Sequence, residues 1–223
     1  MALYGQRAFS RVHVTTKHRY TLAGLRKHTR SIRSEASSIS ERHQATLDRA
    51  VRDFDRYFTA LDEQTDDLRK NVRKLLATSF FNHWYAALLL AEVGLTVDAL
   101  LCERNALEVL AFHWLVCLDP VAANDYHDGT IPRPVVVRRR LEALGADITH
   151  IREAYASGSA ISHVGRPSER FHLKWEEERA GKLMIGGEFV AESLNHMLEY
   201  LSALLPLFQQ PLMVGSSDAA PGV

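Results

Sequence analysis

Polar side chains that could carry out acid–base chemistry recur at helical spacing late in the sequence. In DITHIREAYASGSAISHVGR, Tyr155, Ser159, Ser162, His163 and Arg166 follow one another at steps of three, four or one, so that a helix would align them in one stripe. Histidine titrates near neutral pH and is the usual general acid–base, and arginine stabilises anionic oxygens through its charge and forked donors. The stripe therefore predicts a site that transfers a proton beside a negatively charged group.

A second polar segment, CERNALEVLAFHW, belongs to a helix that is otherwise apolar. Arg104 and Glu108 are four residues apart and can pair on one helix face, and Asn105 lies beside them. A charge on a buried helix costs several kcal/mol unless it is paired and hydrogen-bonded. Two interpretations are open: the pair ties two helices together, or it lines a polar pocket and orients a third group.

The two segments could meet in a single site. If the stripe faces Arg104 and Glu108, the result is an Arg/Glu/Ser/His cluster suited to RNA cleavage by the substrate's own 2′-hydroxyl, with no metal ion. In the alternative, Gly158 and Ser159 only allow close helix packing, and His163 is a hydrogen-bonded interior histidine. The sequence has no glycine-rich phosphate loop, no H-E-x-x-H pair and no C-x-x-C pair, so we expect no cofactor and no metal.

The elements that must position these residues begin with a long heptad pattern. Ser38 and Glu41 form a capping box, and the pattern behind them predicts a helix over about residues 39–77. Such a helix needs a partner, either in the same chain or in the second copy of a homodimer. The heptad positions are Leu47, Val51, Phe54, Phe58, Leu61, Thr65, Leu68, Val72 and Leu75.

The remaining pattern is mostly helical. SFFNHWYAALLLAEVG and VDALLCERNALEVLAFHWLVCLD predict two buried helices separated by Gly94, and a short helix follows Asp119 and Pro120. Two more helices are separated by Gly145, FHLKWEEERAGKLMIGGEF alternates as a small β-hairpin does, and AESLNHMLEYLSALLPLF predicts a last helix.

The predicted fold class is therefore all-α: a helical bundle with one long heptad-patterned helix and a small, late β-hairpin. We expect a basic N-terminal arm over residues 1–37, the bundle domain over 38–210, and a disordered tail over 211–223.

Composition places the chain among ordinary globular proteins of the cytoplasm. The formal net charge is zero, and only Cys102 and Cys117 are cysteines, both in apolar helical sequence, so that we expect no disulfide. The N-terminus has no signal-peptide pattern, and the longest apolar run, WYAALLLAEVGL, is too short to span a bilayer, so we expect no membrane partner.

Charge is distributed unevenly along the chain. Residues 1–44 carry nine Lys or Arg and two acids, a net charge of +7, whereas residues 83–129 carry one Arg and seven acids, a net charge of −6. The N-terminal arm is therefore predicted either to bind an anion such as RNA or to dock on the acidic part of a neighbouring subunit.

The order of these motifs resembles a known superfamily. A buried helix with ERNALEVL, a DP break followed by NDYHD, and a helix ending in SGSAISHVG are similar to HEPN proteins, over about residues 45–208. The match is to an uncharacterised bacterial branch that pairs an R-x-x-x-E helix with an S-x-x-x-H helix, here Arg104 with Glu108 and Ser159 with His163.

This resemblance implies a helical bundle, often a dimer, that acts as a ribonuclease in toxin–antitoxin systems, phage defence or stress, with an antitoxin or defence component as protein partner. The superfamily signature is an Arg, a polar residue, four to six residues and a His. RPSERFH has that spacing from Arg166 to His172, with Pro167 at the polar position. The implied catalytic residues are Arg104, Glu108, His163 and Arg166, and the implied substrate-binding residues are Asn105, Tyr155, Ser159 and Ser162.

Two hypotheses of different class follow from the sequence. The first is a metal-independent endoribonuclease or RNA-binding effector. The second is a non-catalytic helical dimerisation module whose Arg/Glu/His cluster is structural.

Overall fold

The computed structural model describes residues 22–61, 67–162, 173–177, 180–183 and 190–209, with side chains over 22–61, 67–156 and 190–209. The all-α class is confirmed, because helices make up most of these residues. They are α1 (Leu22–Leu61), α2 (Leu68–Glu92), α3 (Thr96–Leu118), α4 (Ala122–His127), α5 (Pro134–Ala143), α6 (Thr149–Ser162) and α7 (Ala191–Leu207). Two short strands, β1 (Leu173–Glu177) and β2 (Ala180–Leu183), pair antiparallel with Leu173 opposite Leu183.

The prediction of one helix over residues 39–77 is wrong at both ends. Helix α1 begins at Leu22, so Ser38 lies inside it and caps nothing, and it ends at Leu61. Helix α2 begins after Asp67, whose extended backbone breaks the helix and whose side chain accepts hydrogen bonds from the N–H groups of Arg69 and Lys70. The apolar spacing continues across this break, which is why the pattern indicated a single helix.

The expected boundary between a basic arm and the bundle at residue 38 falls within α1. Ile32, Ala36 and Ile39 are buried at steps of four and three, so this early part of the helix is packed like the rest. The packed part of α1 therefore begins at Ile32, before the expected boundary, whereas residues 22–31 contain no buried side chain. Residues 1–21 and the expected tail over 211–223 lie outside the described residues.

The heptad positions of α1 are covered by other helices of the same chain. Leu47, Phe54 and Leu61 are buried, and the Phe54 ring lies 6.0 Å from Phe80 of α2 and 5.6 Å from Phe208 at the end of α7. The expected seam therefore needs no second copy along α1. Its last member, Leu75 of α2, is instead 54% exposed.

Helix α3 is the central element and packs against α2, α5, α6 and α7. Its apolar side chains surround nearly the whole helix, as the sequence predicted for a buried element. Trp84 and Trp114 are buried, and their indole N–H groups donate to the carbonyl oxygens of Leu201 (2.7 Å) and Leu207 (2.9 Å). These bonds tie α2 and α3 to α7.

A branched ion pair fixes α5 beside α4. The Arg140 guanidinium donates to the carboxylates of Asp119 (2.5 Å) and Asp125 (2.7 Å), and it lowers the pKa of Asp119.

Gly94 and Gly145, at the ends of α2 and α5, have φ of 76° and 81°, a conformation that favours glycine. Within the described ranges, no helix has the length and apolar character that crossing a membrane requires.

Candidate functional site

The predicted pair of charged residues on α3 is present and open to solvent. The Arg104 Nε donates to the Glu108 carboxylate at 3.3 Å, and the two side chains keep 23% and 31% of their surface exposed. The four-residue spacing on one helix face brings them together as the sequence predicted. Because neither side chain is sealed in the core, a ligand can reach the pair.

Tyr155 joins this pair from α6. The second guanidinium nitrogen of Arg104, Nη2, donates to the Tyr155 hydroxyl at 2.7 Å, and the guanidinium carbon lies 4.6 Å from the ring centre. Ile151, one turn earlier on α6, is buried, and Asp147 holds the start of the helix by accepting from the Thr149 N–H at 2.9 Å. Burial of Ile151 therefore turns Tyr155 toward α3.

Arg138 is a member of the cluster that sequence reasoning missed. It comes from α5, and its guanidinium carbon lies 4.3 Å from the centre of the Tyr155 ring. It stands in a run of three arginines, and only the packing of α5 decides that Arg138 meets Tyr155 while Arg140 meets Asp119. We call Arg104, Glu108, Arg138 and Tyr155 the arginine–tyrosine cluster.

The other predicted site residues have different positions. Ser159 and Ser162 lie on the last turns of α6, four and seven residues beyond Tyr155, so helical spacing places them on the same side of the helix. Asn105 is exposed and forms no hydrogen bond with the cluster in the described part of the chain. His163 and Arg166 lie outside the described residues, so their roles stay predictions.

A second polar network, between α1, α2 and α3, contains the most buried histidine of the described residues. The Arg73 Nη2 donates to the Tyr57 hydroxyl at 2.8 Å, and this hydroxyl lies 2.8 Å from the Nε2 of His113. A guanidinium can only donate, so the Tyr57 oxygen accepts from Arg73. The hydroxyl and the Nε2 of His113 share a second hydrogen bond, whose direction depends on the tautomer of the ring.

The role of His113 is structural. Burial, together with the charge of Arg73, lowers the pKa of His113 to about 3, so the ring is neutral at physiological pH. A ring that cannot take up a proton near neutrality is a poor general base. His113 therefore links three helices and leaves acid–base chemistry to other residues.

The arginine–tyrosine cluster contains the residue type that most often pairs with anions. Its two guanidinium groups lie against one half-exposed tyrosine and bring positive charge to a surface that solvent reaches, and guanidinium groups pair well with phosphate oxygens. In the described ranges, no group of three or more His, Cys, Asp or Glu side chains could hold a metal ion.

Comparison of the chain with protein-family models, with characterised proteins and with solved structures finds no match in any of the three.

Proposed function

We propose that the arginine–tyrosine cluster is the anion-binding half of a metal-independent endoribonuclease site in a HEPN-like cytoplasmic protein. One observation carries this proposal: two guanidinium groups, from α3 and α5, meet at one solvent-accessible tyrosine on α6. The same helix carries Ser159 and Ser162 and leads directly, in the sequence, into His163. A phosphate bound at the cluster would therefore have an acid–base residue close along the chain.

The proposed reaction uses the RNA as its own nucleophile. His163 takes the proton of a 2′-hydroxyl group, the 2′-oxygen attacks the adjacent phosphorus, and the bond to the 5′-oxygen breaks. The leaving 5′-oxygen takes a proton from water and His163 returns its proton to solvent, which leaves a cyclic phosphate and a 5′-hydroxyl end. Arg104 and Arg138 stabilise the negative charge on the phosphoryl oxygens, with Arg166 as a further cation. Glu108 orients Arg104, and Asn105, Tyr155, Ser159 and Ser162 bind the substrate.

A basic helix face supports RNA as the substrate. Arg26, Lys27, Arg30 and Arg33 are exposed on the first turns of α1, at positions that share one side of the helix. Contacts between such side chains and phosphates release counterions, so the affinity for RNA falls steeply as salt is added. An antitoxin or another defence component would be the protein partner of such an enzyme.

The test is RNA cleavage by the purified chain in the presence of EDTA. We expect Arg104→Ala, Arg138→Ala and His163→Ala each to lower the cleavage rate by about 100-fold or more, since each removes a group that acts on the transition state. The matched control is Arg139→Ala, which removes an exposed arginine next to Arg138 and should leave the rate unchanged. Equal cleavage by all four variants, or none by the wild type with any RNA, would refute the proposal.

A second candidate function is a non-catalytic dimerisation module. It is favoured by three apolar side chains, Leu75, Tyr85 and Leu89, which are 54%, 49% and 38% exposed on one face of α2. Isologous pairing of this face in a homodimer would bury all three. Such a module would dimerise and leave RNA intact.

A further inference from the structure

A groove separates the first half of α3 from α7, away from the arginine–tyrosine cluster. Its volume is about 610 Å³, within the usual range of roughly 300–1,000 Å³ for small-molecule sites. Thr96, Leu100 and Glu103 form the α3 side, and Ser193, Met197 and Tyr200 form the α7 side.

Glu103 lines this groove with a carboxyl group that has no protein partner. The residue is only 6% exposed, and it forms no hydrogen bond or ion pair with any described side chain or backbone group. Burial raises the pKa of Glu103 to about 7. The pKa of Tyr200 is also raised, mainly by its own burial and in addition by the negative charge of the Glu103 carboxylate. A largely buried carboxylate without a hydrogen-bond donor destabilises a fold, so its position in a groove points to a partner that comes from outside.

The rest of the groove defines the chemistry of that partner. Leu100, Met197 and the Tyr200 ring offer apolar surface, while Glu199 lies on the rim. His196 is also on the rim, 3.6 Å from Glu199 and 3.8 Å from Glu192, so two acids flank it. The groove therefore repels anions and fits a cation that carries an apolar body.

We propose that this groove binds a small organic cation, with a primary ammonium group paired to Glu103 and an apolar body against Leu100, Met197 and Tyr200. The site is independent of the proposed ribonuclease function, because Glu103 faces α7 whereas Arg104 and Glu108 meet α6. An ammonium group supplies both the charge and the hydrogen-bond donors that the Glu103 carboxylate lacks.

The experiment titrates the full chain with hexylammonium at pH 8 by calorimetry. Hexylammonium should bind with a Kd of about 1 mM or tighter, whereas 1-hexanol, which has the same apolar body without the charge, should bind at least about 10-fold more weakly. Hexanoate, of opposite charge, should show no binding. Equal binding of the amine and the alcohol, or no binding of the amine, would overturn the proposal.

Two variants and one control locate the site. Glu103→Gln should weaken hexylammonium binding by about 10-fold or more, because it removes the ion pair and keeps the shape of the side chain. Ser193→Phe places a ring in the groove from the half-exposed side of α7 and should abolish binding with the carboxyl group intact, so the test stands even if Glu103→Gln fails to fold. Glu153→Gln, at an exposed position of α6, should bind as the wild type does. If Ser193→Phe binds hexylammonium as tightly as the wild type does, the amine binds elsewhere and the proposal is wrong.

Discussion

Glu103 and Arg104 are neighbours in the sequence and serve different surfaces. One step along a helix turns the side chain by about 100°, so Glu103 meets the α7 side of α3 and Arg104 meets the α6 side. The spacing of Arg104 and Glu108 predicted their pairing correctly. The burial of Glu103 could not be predicted, since it depends on how closely α7 approaches.

The hydroxyl group of Tyr57 is predicted to stabilise the fold. Tyr57→Phe removes the atom that joins Arg73 to His113, and the Nε of Arg73 already has no acceptor among the described residues. The variant leaves Nε2 of His113 and a further guanidinium nitrogen without their partner. We expect the free energy of unfolding in urea to fall by about 1–3 kcal/mol.

The matched control is Tyr126→Phe. This hydroxyl forms no hydrogen bond with a described residue, although its ring packs on Phe112 at 6.3 Å, so its removal should leave the free energy of unfolding nearly unchanged. An equal loss in the two variants would contradict the role assigned to the Tyr57 hydroxyl.

At the scale of elements, periodicity located most helices and misplaced one break. The buried helices, the glycine-ended α2 and α5, and the last helix follow from apolar spacing and helix-end residues. The break between α1 and α2 depends on the backbone of Asp67, and the three-and-four spacing of apolar residues passes over it. Burial of Ile32 and Ala36 extends α1 toward the N-terminus beyond the predicted start.

The site is predictable from sequence only where its residues share one element. Arg104 with Glu108 on α3, and Tyr155 with the serines on α6, follow from helical spacing. Arg138 enters from a third helix whose orientation is fixed by Arg140 and its two aspartates. Contacts between helices depend on tertiary packing, and the spacing of residues within one helix gives no information about that packing.

The exposed face of α2 carries the prediction about assembly. If Leu75, Tyr85 and Leu89 form a dimer contact, replacing Tyr85 and Leu89 together by glutamate introduces like charges across it and should convert the dimer to a monomer. Multi-angle light scattering at micromolar concentration measures this directly.

The control for this prediction is a double variant at Val121 and Ile131. These residues are 59% and 51% exposed and lie at the start of α4 and before α5, so they are not part of the exposed face formed by Leu75, Tyr85 and Leu89. The same two substitutions by glutamate there should leave the mass unchanged. A wild-type chain that is monomeric, or a dimer that survives the change on α2, would rule out this contact. Phe54 is unsuitable for such a test because it is buried in the core of its own chain.

At the scale of the whole molecule, two buried groups with opposite pKa shifts make stability depend on pH. The pKa of His113 falls from 6.5 to about 3, so its contribution is complete above pH 6.5 and is lost as the pH falls toward 3. The pKa of Glu103 rises from 4.5 to about 7, so its contribution is complete below pH 4.5 and is lost as the pH rises toward 7. Each changes stability by about 1.4 kcal/mol per pH unit within its window.

Between pH 4.5 and 6.5 the two contributions to the unfolding free energy change with pH at equal rates and in opposite directions. Their sum should therefore stay constant in the wild type over this range. Glu103→Gln removes one slope. The difference in unfolding free energy between variant and wild type should therefore move in favour of the variant as the pH rises from 4.5 to 7, by about 3 kcal/mol in all. Urea unfolding at half-unit steps measures it, and parallel curves for the two proteins would show that Glu103 titrates normally.

The pairing of α1 with α7 governs the order in which the bundle can form and open. Helices α2 and α3 are joined by a turn at Gly94 and can pair early, whereas α1 meets α7 only when distant parts of the chain come together, as in the bond of 2.9 Å between His43 and Asn195. Closing so long a loop costs entropy before the contacts form, so we expect α7 to dock late in folding and its detachment to open the bundle. Because α7 is also one wall of the Glu103 groove, a ligand held there would slow that detachment and lengthen the lifetime of the closed bundle.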